Sequence, residues 1–345
     1  MKLICIVFFS AVSLVVTAQS DTLTIIGVGD MMMGNNYREL DLPPNDGANL
    51  MAEVDSILNS ADVTFGNLEG TLMDGNASAK SCKDTTVCYV FRTPTRYTKN
   101  LVKAGFDVMS IANNHAGDFG DTGRNSTMRA LDSAGILYAG QLPKPTVRFE
   151  KNGIRYGLVA FSPNNNCVSV NDTAQAVALV RALDSVCDVV IVSFHGGAEG
   201  ASYQHVPKKH EMFYGEDRGN VYEFAHTVID AGADVVFGHG PHVSRAVEVY
   251  KNRFIAYSLG NFCTYGGMNV KGVNGLAPIA KVYTTRTGEM IKTELIPTYQ
   301  ISHTYVHIDT ADKQVIKVIQ QLTKADFPNA DWEISEDGVV TKKSN

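Results

Sequence analysis

Six places along the chain set metal-ligating or proton-transferring side chains beside glycine or asparagine. They are Gly29-Asp30, Gly66-Asn67-Leu68-Glu69, Asn113-Asn114-His115-Ala116-Gly117-Asp118, His195-Gly196-Gly197-Ala198-Glu199, Gly238-His239-Gly240-Pro241-His242 and Ser258-Leu259-Gly260-Asn261-Phe262. Singly, each has an ordinary structural reading: Asp30, Asn67 and Glu69 as turn or cap residues, His195 as a satisfied core histidine. Together they supply carboxylate oxygen, amide oxygen and imidazole nitrogen. That mixture suits a divalent transition metal such as Mn, Zn or Fe better than Ca or Mg. The glycines let the backbone turn tightly and come close to an ion. Gly240-Pro241 is a rigid turn that would aim two imidazoles from one loop.

The elements that must position these residues are legible from hydropathy. Short apolar runs at Leu23 to Val28, Asp62 to Phe65, Asp107 to Ile111, Tyr156 to Phe161, Asp188 to Phe194 and Asp234 to Phe237 read as buried strands. Helical spacing recurs at Ala48 to Leu58, Thr95 to Ala104, Ser126 to Ala134, Thr173 to Leu183 and Val221 to Ala231, with Gly105, Gly135 and Gly232 as stops. Alternation of strand and helix predicts a layered, largely parallel α/β fold. Hairpins turning at Lys151-Asn152-Gly153, Lys251-Asn252 and Thr287-Gly288 point to a sandwich of mixed sheets rather than a simple doubly wound sheet. In such folds ligands sit where strands end, and each of the six motifs follows a predicted strand.

The series Gly29-Asp30, Asn67-Leu68-Glu69, Ala112-Asn113-Asn114-His115, His195-x-Gly197-x-Glu199, Gly238-His239-x-Pro241-His242 and Tyr257-Ser258-Leu259-Gly260-Asn261-Phe262 resembles the CapA family of poly-γ-glutamate capsule biosynthesis proteins. Those proteins in turn resemble calcineurin-like metallophosphoesterases. The resemblance runs from about Leu23 to Phe262. It implies a four-layer α/β/β/α sandwich with one or two metal ions at the strand ends. By the same resemblance Asp30 is a metal carboxylate, and Glu69, or else Asn67, is the bridging position. Asn114, His195, His239 and His242 are metal ligands, and His115 is a proton donor. Asp118 would orient His115, and Glu199 and Asn261 complete the site. The chain departs from the wider superfamily at Met31-Met32, where an imidazole is usual after the first carboxylate, at Asn67-Leu68-Glu69, and in the spacing of His239 and His242.

Bound metal would polarise a phosphoryl or acyl oxygen and lower the pKa of a bound water towards ~7. His115 would protonate the leaving group. Two functions follow: a metal-dependent hydrolase of a phosphoester or amide polymer, or a non-catalytic, metal-containing assembly factor for an anionic surface polymer such as poly-γ-glutamate. A membrane polymer synthase, encoded elsewhere, is the expected protein partner. The polar stretch Gly200 to Arg218, with His205, Lys208, Lys209 and His210, reads either as a basic lid for an anionic polymer or as a solvated insertion. His226, His303 and His307 read as structural or surface residues.

The chain has 345 residues, is 44% hydrophobic and carries a formal charge of −6, which is globular and favours no nucleic-acid partner. Met1-Lys2, the apolar Leu3 to Val16 and Val16-Thr17-Ala18 have the build of a signal peptide cleaved after Ala18, so an exported, periplasmic or cell-surface protein is expected. Export permits disulfides, and Cys82 and Cys88 bracket a short polar loop suited to a bridge. Spacing does not specify any pairing of Cys167, Cys187 and Cys263. One domain is expected over residues 21–309, followed by a helix at Ala311 to Lys324 and a loosely held polar tail from Asp326 to Asn345.

Overall fold

The computed structural model describes residues 22–38, 40–81 and 88–343. Among them the strands form a ten-stranded and a six-stranded sheet, with two short ribbons. In the larger sheet Thr22–Met32 is central. It pairs in parallel with Val63–Leu68 and, through its last residues, with Asn261–Thr264, and antiparallel with Leu276–Thr285. Val108–Ser110 and Leu137–Ala139 extend the parallel half, and Met290–Tyr299 extends the antiparallel half. The smaller sheet runs Val247–Tyr250, Arg253–Ala256, Val235–His239, Val189–His195, Ile154–Phe161 and Thr146–Lys151.

Both faces of the central strands are covered, which is why they read as unbroken apolar runs. Side chains alternate along Thr22–Met32. Leu23 and Ile25 enter the core between the sheets, while Ile26 and Val28 enter the core beneath the outer helices. Phe65 of one sheet stacks on Phe237 of the other, ring centroids 5.5 Å apart. Helices Thr98–Lys103 and Gly120–Ala134 bury Leu101 and Leu131 against the larger sheet. Helices Thr173–Asp184 and Val221–Asp230 bury Val180 and Val228 against the smaller one. The result is a four-layer α/β/β/α sandwich.

Several local expectations change. The predicted helix from Ala48 to Leu58 is mostly turns, ending in a four-residue helix Asp55–Leu58. Gly120–Ala134 begins six residues before its predicted start at Ser126, because that stretch lacks apolar residues in register. The final helix is Gln314–Asp326. The segment read as a loose tail forms strands Trp332–Ile334 and Val339–Lys342, the second pairing with Met290–Tyr299. Trp332 and Val340 are buried there, so a tail with few apolar residues still docks. The three hairpin turns lie where predicted, and Asn152-Gly153 and Lys251-Asn252 take the positive φ values that two-residue turns require.

The proposed signal peptide and Cys82 lie outside the described residues. Cys88 is disulfide-bonded, and Cys167, Cys187 and Cys263 are free.

Candidate metal centre

Strand register brings the polar residues together. In the larger sheet Asp30 is level with Asn67 on one side and Asn261 on the other. In the smaller sheet His195 is level with His239. Asp30, Asn67, His195, His239 and Asn261 therefore lie in the strands themselves rather than in the loops beyond. Gly29 permits the closest approach. A Cβ there would come 2.0 Å from the carbonyl oxygen of Gly260, the same oxygen that accepts from the Asp30 amide at 2.8 Å. His242 has φ +57°, an unusual conformation for a residue with a side chain.

Asp30, Glu69 and His195 converge, with one ligand atom from each within 4.8 Å of the others. All three are buried. His242 bridges the carboxylates, its Nδ1 3.1 Å from Asp30 Oδ2 and its Nε2 3.5 Å from Glu69 Oε1. Asn261 Oδ1 lies 3.1 Å from the same Nδ1. Asn67 donates to Asp30 Oδ1 at 2.8 Å. His239 is partly committed, since its Nε2 lies 3.0 Å from the carbonyl oxygen of Val28, leaving only Nδ1.

The polar atoms left over decide what this cluster can do. Both carboxylate oxygens of Glu69, both ring nitrogens of His195, Nδ1 of His239 and Oδ1 of Asn114 are buried without a hydrogen-bond partner. Buried polar atoms are normally paired, so this concentration of lone pairs calls for a ligand. Burial pushes the pKa of His195 and His239 below the ordinary range, with Arg218 adding to the effect at His195, so both imidazoles are neutral and able to donate a lone pair. Burial alone would raise the Asp30 pKa, but His242, His239 and His195 hold it well below the ordinary range. Burial pushes Glu69 upward, a shift that a cation beside it would reverse. Burial works against charge on His242 too, yet Glu69 and Asp30 outweigh it and raise its pKa to about 10. Oxygen and neutral nitrogen donors around uncompensated carboxylate charge fit a divalent metal.

A second cluster adjoins the first. His115 Nδ1 is 2.8 Å from Asp118 Oδ2, which also accepts from the Phe91 amide at 2.7 Å. Lys80 Nζ lies 2.6 Å from the other oxygen. The two clusters are joined through Asn113. Its Nδ2 donates to Asn67 Oδ1 at 3.2 Å and to the Leu68 carbonyl at 2.9 Å, and its Oδ1 accepts from the His115 amide at 3.2 Å. Sequence reasoning assigns Asn113 no role. It shows two adjacent amides, but not which of them faces the sheet.

The Gly200 to Arg218 stretch divides. Arg218 is 3% exposed and sits 2.9 Å from Glu199, whereas His205 and His210 are exposed and paired with Asp326 and Asp217. His226, His303 and His307 pair with Glu248, Asp41 and Glu53, away from the centre.

The model of the bacterial capsule synthesis protein PGA_cap family matches residues 24–265, a span that contains Asp30, Glu69, His195, His239, His242 and Asn261. This chain belongs to that family. Among its relatives, the capsule biosynthesis protein CapA of Bacillus anthracis is 28% identical over 73% of this chain and 62% of its own length. The PGA biosynthesis protein CapA of Bacillus subtilis is 28% identical over 71% of this chain and 64% of its own. The matches thus span less than two thirds of these PGA_cap relatives. Among solved structures, a hypothetical protein from Thermus thermophilus superposes with a TM-score of 0.49 at 17% identity, covering 83% of this chain and all of that one. The NAD nucleotidase of Haemophilus influenzae superposes at 0.45 and 12%, covering 87% of this chain and 56% of that one. Both likenesses are loose.

Proposed function

We propose that this PGA_cap member is an exported, metal-dependent hydrolase that processes an anionic surface polymer of the poly-γ-glutamate type. The observation that carries the reading is the buried Asp30, Glu69 and His195 set with its unpaired lone pairs. Those three residues would hold the ion; His239 Nδ1 and Asn114 Oδ1 are further buried donors left without a hydrogen-bond partner. Bound there, a divalent transition metal supplies Lewis acidity towards a phosphoryl or acyl oxygen.

The chain's own residues supply the rest. His242 offsets the repulsion between the two carboxylates and fixes their orientation. His115, its Nδ1 turned to Asp118, has no hydrogen-bond partner for its other nitrogen among the described residues and would use it to hold or release a proton at the leaving group. His115 and Lys80 keep Asp118 ionised, and the Phe91 amide helps hold it in place. The relatives named as capsule and PGA biosynthesis proteins support an anionic polymer as the substrate class.

A second reading, a metal-containing assembly factor without catalysis, is favoured by one feature. Met31 and Met32 are buried apolar residues next to Asp30, where a second ion would need another ligand. The deciding experiment measures metal by elemental analysis in wild type, Asp30→Ala and His195→Ala, then assays the metal-replete protein on phosphoesters and γ-linked glutamate oligomers. Metal lost in both variants together with turnover by wild type supports the hydrolase. Metal-replete wild type that turns over nothing yet binds the oligomer favours the assembly factor. Wild type without metal overturns both.

A further inference from the structure

Arg218 lies beside the metal set and takes no part in holding it. Its side chain is 3% exposed, yet its Nε and Nη2 have no aligned acceptor. The Glu199 contact at 2.9 Å is close in distance but off the N–H direction, and Glu216 is 3.6 Å from Nη1. A guanidinium has five N–H donors in a planar fork, so a buried one this poorly satisfied is unusual. The backbone around it is rigid. The Arg218 carbonyl accepts from Gly197 at 2.9 Å, and its amide donates to the Glu211 carbonyl at 2.8 Å. Glu211 is itself locked by Arg245, through contacts of 2.8 and 2.9 Å, and by the Ala198 amide at 3.1 Å. The Arg218 backbone is thus held against the loop that follows His195, and the side-chain charge is felt by both Glu69 and His195.

We propose that Arg218 is the substrate-recognition residue of this site, a bidentate clamp for an oxyanion of the substrate, with Glu199 as the partner displaced when that oxyanion enters. The inference rests on the hydrolase or polymer-binding reading above and adds the group that selects anionic substrates. A planar fork suits phosphoryl and carboxylate oxygens alike, because both offer two acceptors at matching spacing. Glu199 is the more exposed partner, 23% against 3% for Arg218, and so is the one that yields when an oxyanion enters.

The test uses full-length, metal-replete protein and two probes, inorganic phosphate and γ-linked triglutamate, with affinities from calorimetry and metal content and melting temperature measured alongside. Arg218→Met should retain metal and weaken binding of at least one probe by about 10–100-fold, the scale of one charge-assisted pair. Arg218→Lys should fall between, since an ammonium keeps charge but loses the fork. Glu199→Gln should tighten binding by removing the competing carboxylate. The probe that responds tells phosphoryl from carboxylate. Folded, metal-replete Arg218→Met with unchanged affinity for both probes overturns the proposal, as does wild type that binds neither. If Arg218→Met does not fold, unchanged or weaker binding in Glu199→Gln overturns it. Failure of the metal reading is distinguishable, because it appears as absent metal in wild type whatever the anion affinities.

Discussion

Replacing Glu69 with Met should raise the stability of the metal-free protein while abolishing metal binding. Both oxygens of this carboxylate are fully buried and accept no hydrogen bond. The compensating charge is His242, 3.5 Å from Oε1. Taking a carboxylate out of water costs several kcal/mol after relaxation, and replacing a buried ion by an apolar side chain of like volume is often stabilising by about 1–4 kcal/mol. His242 keeps Asp30 at 3.1 Å and Asn261 at 3.1 Å in the variant, so its own charge is not abandoned. A gain of about 1–3 kcal/mol is expected, a rise of roughly 2–6 °C at about 2 °C per kcal/mol for a chain of this length. With metal at a thousand times its dissociation constant, wild type gains about 4.1 kcal/mol that the variant cannot. The ranking of the two proteins should therefore reverse between chelator and metal. Thermal melts under both conditions, with elemental analysis, measure this. A variant less stable than wild type in chelator, or one that keeps its metal, would refute the account of Glu69 as a buried ligand without hydrogen bonds.

His115→Asn should retain metal and lose about 10²–10⁴-fold in any hydrolase turnover, since it deletes the proton donor while Lys80 and Phe91 still hold Asp118; equal loss of metal would make His115 a ligand. Asp118 bears on acid stability. Burial would raise its pKa, but His115 and Lys80 outweigh that and hold it below the ordinary range. The folded form therefore gives up its proton more readily than the unfolded chain, and the stability it contributes is present above about pH 4 and lost as pH falls further. Urea melts across a pH series should show Asp118→Asn less stable at neutral pH and flatter below about pH 4, and an unchanged acid slope would contradict this. Gly29→Ala should destabilise by about 3 kcal/mol or more, because the new Cβ meets backbone rather than a movable side chain. A folded variant within about 1 kcal/mol of wild type would show that the strand and the Gly260 loop can part freely.

Sequence alone determined the layered α/β class, the three hairpin turns and the catalogue of donor residues. The reason is local: strands buried on both faces must be apolar throughout, tight turns need residues tolerant of positive φ, and ligand types declare themselves one by one. It also grouped Asp30, Glu69, His195 and His242, because each lies at or just past the C-terminal end of an apolar run, although two belong to one sheet and two to the other. What it could not decide was which donor atoms remain free. The Val28 carbonyl, which takes Nε2 of His239, is 211 residues away in sequence. Asn113 and Asn114 are neighbours of the same type, and only the packing of the sheet turns one amide towards Asn67 and leaves the other's oxygen unpaired. Arg218 ends a polar stretch whose histidines and lysines are exposed, and nothing local marks it as buried. It is buried where its backbone is bonded to Gly197 and Glu211, and Glu211 to Arg245, contacts that exist only after the segments beyond Val189–His195 and Val235–His239 have packed together. Residue type is written along the chain, whereas burial and the count of satisfied hydrogen bonds arise between distant segments, and those two quantities separate a site from its scaffold.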